Sequence, residues 1–529
     1  MTTGRILVVD DLPDVRDTIT GILVDEGYDV QAVANFEAAL ELLQTTRIHV
    51  AILDVRLDET DVENEAGLQL MHDIRHLDPT IATIIMTGHA HVDMVQAALH
   101  PDKHGKSPAF SFLQKSEIKQ LPAVVRQAFD QVVRISRSLS IQDQGQVIPQ
   151  LARRLRFEAL EKPPKNSLIE EIDELLRKLF YPCERIMIEA PQRGYSAAAV
   201  FKVIPWYPER GEGEALIVKI GERDVLDEEV VRYNSYVAGM VGGHRVPKGI
   251  NTVQTRSLTG ILYSFAGLGA ARDFSDFFAN ADAETIQTAI RNLYLSTCRP
   301  WQREATPSSQ PIHLRNFYFE HLWLNDRGLE RAFENTMGGR HPFDLAEEGQ
   351  IRLGEEILLT NPLALLQSYE WQHSVLWGII HGDLQGYNVL VDHYQETWLI
   401  DFASTSRGPL AQDYAMFEVY FLVSAITFPN WQKLYQWQQL LFDAPNLTAV
   451  PLPYELAQVH ELRKAHAAVL TIRRLAFGDA VYLSEQEYLA ALLFNALKLI
   501  TIMNLPAVQR DYALIASALV AKRLASLST

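Results

Sequence analysis

Four short apolar runs, Ile6–Val9, Val50–Leu53, Ile81–Met86 and Phe110–Leu113, recur through the first 130 residues with helical patterns between them. Each is strand-sized, and each stops at or next to a polar residue: Asp10 and Asp11, Asp54, Thr87, Lys115. Strands alternating with helices predict a doubly wound parallel sheet. In such a sheet function collects where the strands end, along one edge. Three carboxylates brought to one pole require a counter-cation, and hard oxygen ligands suit Mg²⁺.

Charge supports this reading and excludes others. Residues 1–130 hold 10 Lys+Arg against 21 Asp+Glu, which is −11 of the chain's −18. A chain this acidic repels phosphate backbones and anionic lipid, so nucleic acid is not expected as a partner. Only Cys183 and Cys298 occur, too few for a disulfide framework. A reducing cytoplasm is the expected compartment. The first apolar run is too short for a signal peptide, and Tyr488–Met503, interrupted by Asn495 and Lys498, is too short to span a bilayer. It reads as a buried helix, and no membrane insertion is expected. At 529 residues the chain is multidomain.

On Asp10, Asp11, Asp54, Thr87 and Lys115, in that order, the N-terminal region resembles a response-regulator receiver domain of flavodoxin-like fold. The resemblance implies that Asp10 and Asp11 hold Mg²⁺ together with Asp54 and the Arg56 carbonyl. It makes Asp54 the phosphoacceptor for a sensor histidine kinase, and Thr87, Phe112 and Lys115 the switch residues. The added charge of a phosphoryl group, roughly −1.5 to −2, is one that Mg²⁺ and Lys115 can compensate. Departures from the family are the acidic stretch Asp58–Glu65, the long connection Leu99–Ser107, and Ser116 where proline is usual.

From Ile118, the apolar residues Leu121, Val125, Ala128, Val132, Ile135 and Leu139 follow at alternating spacings of three and four. That spacing predicts one helix, either a signalling helix that pairs with a second subunit in a homodimer or the last receiver helix packed on its own sheet. Ser167 and Glu170 form a capping-box pattern opening a helix over 168–180.

Beyond Pro182 the strands Arg185–Glu189 and Ala198–Ile204 predict a hairpin, with Gly194 and Ser196 at the tip where backbone N–H groups could approach phosphates. Lys219 ends an apolar strand, and the helix Asp227–Val237 carries Glu228 and Glu229. The segment His381-Gly382-Asp383 through Asn388 to Asp401 resembles the protein-kinase-like fold, in its aminoglycoside and choline phosphotransferase branch. The resemblance implies that Asp383 is the catalytic base toward an acceptor hydroxyl and that Asn388 and Asp401 hold Mg²⁺. Lys219 would contact ATP, with Glu229 or Glu228 as its ion partner. Asp413, after Gly408-Pro409, would brace the catalytic loop, and Tyr263–Gly267 would be the adenine hinge. The aromatic-rich segment 270–380, Trp371 and Trp377 included, reads as helix packing.

The expected organisation is a receiver over 1–130, a helical linker over 131–181, a kinase-like α+β N-terminal lobe over 182–268 and a helical C-terminal lobe over 269–529. The expected function is a two-component response regulator with an ATP-dependent phosphotransferase as output. The alternative is a non-catalytic kinase-like scaffold that binds nucleotide or a downstream protein and is regulated by the receiver.

Overall fold

A computed structural model describes residues 4–58, 64–88, 92–101, 107–158, 165–189, 199–239, 248–264, 271–337, 343–345, 350–427, 430–502 and 504–527. The chain divides into two compact units, Met1–Asp227 with Gly249–Ala266, and Glu228–Lys248 with Gly267–Thr529.

The first unit opens with β1 (Arg5–Val9), α1 (Pro13–Asp25), β2 (Asp29–Val33), α2 (Phe36–Thr45), β3 (Val50–Asp54), α3 (Ala66–Leu77), β4 (Ala82–Thr87), α4 (Val92–Leu99), β5 (Ser111–Gln114) and α5 (Leu121–Ala128). The strands form a parallel sheet in the order β2-β1-β3-β4-β5. Period-two alternation drives the layering: Ile6 and Val8 join a core with Leu121 and Val125, while Leu7 and Val9 join a core with Leu43 and Met71. The fold is therefore the flavodoxin-like one expected, with β2 as an additional strand. Its residues are half-exposed at an edge, so no apolar run announces it.

The helix expected from Ile118 to Leu139 is shorter. α5 continues as one wide turn over Phe129–Val133, and Arg134 then adopts φ +49°, a left-handed conformation that stops it. Leu121, Val125 and Ala128 are fully buried against the parallel sheet. This is the second of the two expected readings, the helix packed on its own sheet, and of the spaced residues Val132 is exposed. Nor is 131–181 purely helical. It supplies β6 (Ser140–Asp143), α6 (Val147–Glu158) and α7 (Lys165–Leu179), and β6 lies parallel beside the next strand.

That strand is β7 (Arg185–Ile188), followed by β8 (Ala199–Tyr207), β9 (Gly211–Glu212), β10 (Leu216–Glu222), α8 (Arg223–Arg232), β11 (Lys248–Gln254) and β12 (Leu258–Ser264). They form a second sheet ordered β11-β12-β10-β8-β7-β6. The expected hairpin is present, with Arg185 opposite Trp206 and Ile188 opposite Val203. α6 and α7 cover the sheet with Leu151, Leu155, Ile172, Leu175 and Leu176. Gly260 in β12 allows the approach: an added Cβ would lie 3.2 Å from Leu179.

The second unit is mainly helical around one large core. Its small strands deliver the residues of interest. Leu376–Ile380 pairs with Ser406–Pro409 and leads into His381, while Val389–Val391 pairs with Thr397–Leu399 and leads to Asp401. Trp377 therefore lies in a strand and Trp371 just before one, not in helices. Tyr488 sits fully buried in the helix Glu485–Thr501. No helix among the described residues is long and apolar enough to cross a membrane.

Candidate functional sites

The receiver pocket is built at the C-terminal strand ends. Asp10 follows β1, Asp54 ends β3 and Thr87 ends β4, and all three are buried. One carboxylate oxygen from each of Asp10, Asp11 and Asp54 lies within 4.8 Å of the others. Lys115 reaches in from just beyond β5, its Nζ 2.6 Å from Asp54 Oδ2 and 2.7 Å from Asp10 Oδ2. Asp10 Oδ1 accepts the Leu12 N–H at 3.1 Å, and Arg16 donates to the Asp10 carbonyl at 2.6 Å and the Asp11 carbonyl at 2.9 Å. These bonds fix the turn that presents both acids.

Burial pushes the Asp54 carboxyl up to about 6, with the Asp10 charge adding to it, against the opposing pull of Lys115 and the Arg56 N–H. Burial alone would lower Lys115, but its bonds to Asp10 and Asp54 outweigh that and raise it. Three pooled carboxylates are an oxygen donor set that fits Mg²⁺. Phe112 lies half-buried against the core that includes α2 and α3. Gly67 permits the pocket's closure, because a Cβ there would fall 1.7 Å from the Asp54 carbonyl oxygen.

The second group lies in the Glu228–Lys248/Gly267–Thr529 unit, around His381–Asp413. Asp413, buried at the start of the helix Ala411–Val419, accepts the His381 N–H at 2.8 Å and the Gly382 N–H at 2.9 Å on its two oxygens. Burial pushes its carboxyl up to about 7, outweighing those two N–H bonds. The Gly382 carbonyl, in the following peptide, meets His321 Nε2 at 3.2 Å and accepts from Gln412 Nε2 at 3.1 Å. Gly382 adopts φ +83°, and a Cβ there would sit 2.3 Å from the Ser404 carbonyl. Only glycine fits.

Asp383 is next. Asn388 Nδ2 donates to the Asp383 carbonyl at 2.8 Å and to its Oδ2 at 2.9 Å, and Gln385 adds a bond to Oδ2 at 3.1 Å. Asn388 thereby turns its amide nitrogen to Asp383, which leaves its oxygen as the atom suited to a cation. Ile400 N–H bonds the Asn388 carbonyl at 3.0 Å, and the Ile400 carbonyl meets His381 Nε2 at 3.0 Å. Asp401 follows with φ +66°, a conformation that costs a non-glycine residue on the order of 1–2 kcal/mol. Strain of this kind concentrates at functional positions.

Lys219 is buried in β10, opposite Val200 of β8 and Ile261 of β12. Of the two glutamates weighed as its partner, Glu229 is buried, whereas Glu228 is exposed and lies 3.7 Å from Arg232. Tyr263 is buried and Ser264 half-buried at the end of β12, and residues 265–267 of the expected hinge lie outside the described residues. Gly194 and Ser196 lie outside them too.

Residues 6–125 match the response regulator receiver domain family. They are a receiver domain. Among curated proteins, the nitrogen assimilation regulatory protein NtrX of Azorhizobium caulinodans is 30% identical over 110 residues, 21% of this chain and 22% of that protein. The sporulation initiation phosphotransferase F of Bacillus subtilis is 29% identical over 96 residues, 18% of this chain and 73% of that protein. Among solved structures, the receiver domain of NtrX from Brucella abortus is 27% identical, covering 24% of this chain and 98% of that chain at a TM-score of 0.21. The chain spans about a fifth of the length of the NtrX relatives it matches. Residues 327–501 match a second family, ternary complex associated domain 9, and this stretch contains the His381–Asp413 segment.

The acids and the lysine that this pocket brings together were thus visible as strand-end residues. His321, Gln412 and Gly67 were not, because each acts through a backbone group distant in sequence. His321 lies 61 residues before its partner Gly382.

Proposed function

We propose that the chain is a two-component response regulator phosphorylated on Asp54 by a sensor histidine kinase, with an ATP-dependent phosphotransferase-type output domain acting on a hydroxyl acceptor. The observation that carries the output half is the restraint on Asp383: Asn388 holds its carboxylate and Asp413 anchors the two peptide N–H groups just before it. A general base must be held in this way to accept a proton from one defined hydroxyl. Asn388 and Asp401 would hold Mg²⁺, which supplies charge neutralisation to phosphate oxygens. Lys219, buried in β10, is assigned to the nucleotide's phosphates. In the receiver, Lys115 would transfer its bond from Asp54 to a phosphoryl oxygen, and Thr87 would donate its hydroxyl to another.

The test is Mg-ATP turnover by the full chain against a panel of hydroxyl acceptors, wild type beside Asp383→Asn. Phosphoryl transfer by the wild type, lost in the variant while nucleotide still binds, is the expected result. Transfer that persists in Asp383→Asn would remove the assigned base.

A second reading has its own support. The match at 327–501 is to a domain described by association in a ternary complex. On that reading the kinase-like part holds nucleotide or a downstream protein without turnover, and Asp383→Asn changes nothing measurable.

A further inference from the structure

The helix expected to carry a signal out of the receiver stops at Arg134, and the contacts that join the receiver to the rest of its unit lie elsewhere. They cluster where β1, β3 and β4 begin, at the pole opposite Asp54. Arg47, just before β3, places Nε and Nη2 on the two oxygens of Glu174 in α7, each at 2.8 Å. Its Nη1 bonds Asp78 and its Nη2 also meets Thr80 Oγ1 at 2.9 Å. From within α7, Lys178 Nζ lies 2.6 Å from Glu174 Oε1 and donates to the Gln254 carbonyl at 2.8 Å. His49 Nδ1 accepts the Arg5 N–H at 2.9 Å, so the ring proton sits on Nε2, 3.5 Å from Glu174 Oε2.

Glu174 is only 2% exposed, and a buried carboxylate is stable only while its cations stay in place. Burial alone would raise its pKa, yet Lys178 and Arg47 hold it well below the ordinary carboxylate range. One of those cations belongs to the receiver and one to α7. Parting the two would expose the carboxylate and dissolve a two-pronged guanidinium contact.

A second grip is independent of Glu174. Arg256, in the turn between β11 and β12, donates to the carbonyls of Leu43 at 2.8 Å and Gln44 at 3.4 Å, at the C-terminal end of α2, where a cation is favoured. Glu171 of α7 holds the same turn through Thr255 Oγ1 at 2.6 Å and through Ser257 N and Oγ at 2.9 and 2.8 Å. Arg5 adds an outer contact to Glu170 at 3.1 Å.

We propose that the pole of the receiver opposite Asp54 is its output surface, and that α7 with the β11–β12 turn is its resident partner, clamped through Glu174 and Arg256. The receiver is then a fixed part of the unit that carries Lys219, not a domain swinging on a tether, and its phosphorylation pole stays turned away from the clamp. β12, which the clamp holds at its first residues, lies beside β10 with Ile261 opposite Lys219. The inference does not depend on phosphotransferase activity.

Amide hydrogen exchange on the full chain tests it, comparing wild type with Arg47→Met, Glu174→Gln and the double variant. Each single variant is expected to quicken exchange of the β3 amides Val50–Ile52 and of the β12 amides together, by about tenfold or more, and the double to add little. Receiver amides that keep wild-type rates in Glu174→Gln, or effects that simply add, would overturn the proposal. Should these variants fail to fold, Arg256→Ala removes only the grip on α2 and must quicken exchange at Thr46 and His49. Unchanged rates there overturn it equally.

Discussion

The receiver pocket and the His381–Asp413 loop both gather carboxylates at strand ends, yet they are held in different ways. In the receiver, Asp10 and Asp54 are drawn together by one lysine, and the pocket is a balance of charges. Around Asp383 most of the restraint is on the backbone: the N–H and the carbonyl of Gly382 are both hydrogen-bonded and Asp413 works through peptide N–H groups, with Asn388 holding the carboxylate itself. A charge-balanced site is built to respond when charge is added to it. A backbone-braced site is built to keep one geometry. The first suits a switch, and the second suits a base that must stay aligned.

The largest effect expected from this contrast is in the receiver. A small-molecule phosphodonor should label the chain in a Mg²⁺-dependent manner, and Asp54→Asn should abolish labelling completely, since Asp54 alone ends the strand facing the acid pair. Undiminished label in that variant would break the switch side of the comparison.

The brace predicts a stability effect instead. Asp413→Ala strands two buried N–H groups, each costing about 1–3 kcal/mol, so chemical denaturation should show a second unit weakened by a few kcal/mol with the receiver transition unmoved. A loss below ~1 kcal/mol would mean the loop is held by its other contacts.

A smaller difference separates the two acids assigned to nucleotide chemistry. Asp401→Asn should weaken Mg-ATP binding by about tenfold, whereas Asp383→Asn should leave it nearly intact, because one is assigned to the cation and the other to the acceptor hydroxyl. Calorimetric titration of both variants checks this, and equal losses would mean the roles are misassigned.

A further expected effect concerns pH. Burial pushes the Glu487 carboxyl up to about 7, against the opposing N–H bonds of Leu376 and Ser484. Its unfolded value is about 4.3, so between these values the folded chain binds the extra proton and stability falls as pH rises. Glu487→Gln should therefore be more stable than wild type at pH 8, and the advantage should shrink as pH falls through 7 toward 5. Parallel stability curves for the two proteins would show that the carboxyl is not perturbed.

How much of this was legible in the sequence follows the same division. The receiver residues could be read because each sits at or beside the end of an apolar run, where a parallel sheet must bring them together. Asp383, Asn388, Asp401 and Asp413 could be singled out only through the resemblance of their segment to the kinase-like fold. The heptad from Ile118 misled because side-chain spacing carries no trace of a left-handed residue, and Arg134 is one. β2 escaped because an edge strand buries too little to need a continuous apolar run. His321 and the Arg47–Glu174 pair join residues 61 and 127 positions apart, and local pattern does not encode such contacts.

The proposed function requires that the switch govern the braced site. The most direct measurement is Mg-ATP affinity of the full chain by calorimetry, with and without beryllofluoride as the stand-in for a phosphoryl group on Asp54. The account predicts a shift of about 5–150-fold, a coupling on the order of 1–3 kcal/mol, that disappears in Asp54→Asn. An affinity that stays the same while beryllofluoride demonstrably occupies the receiver would contradict it.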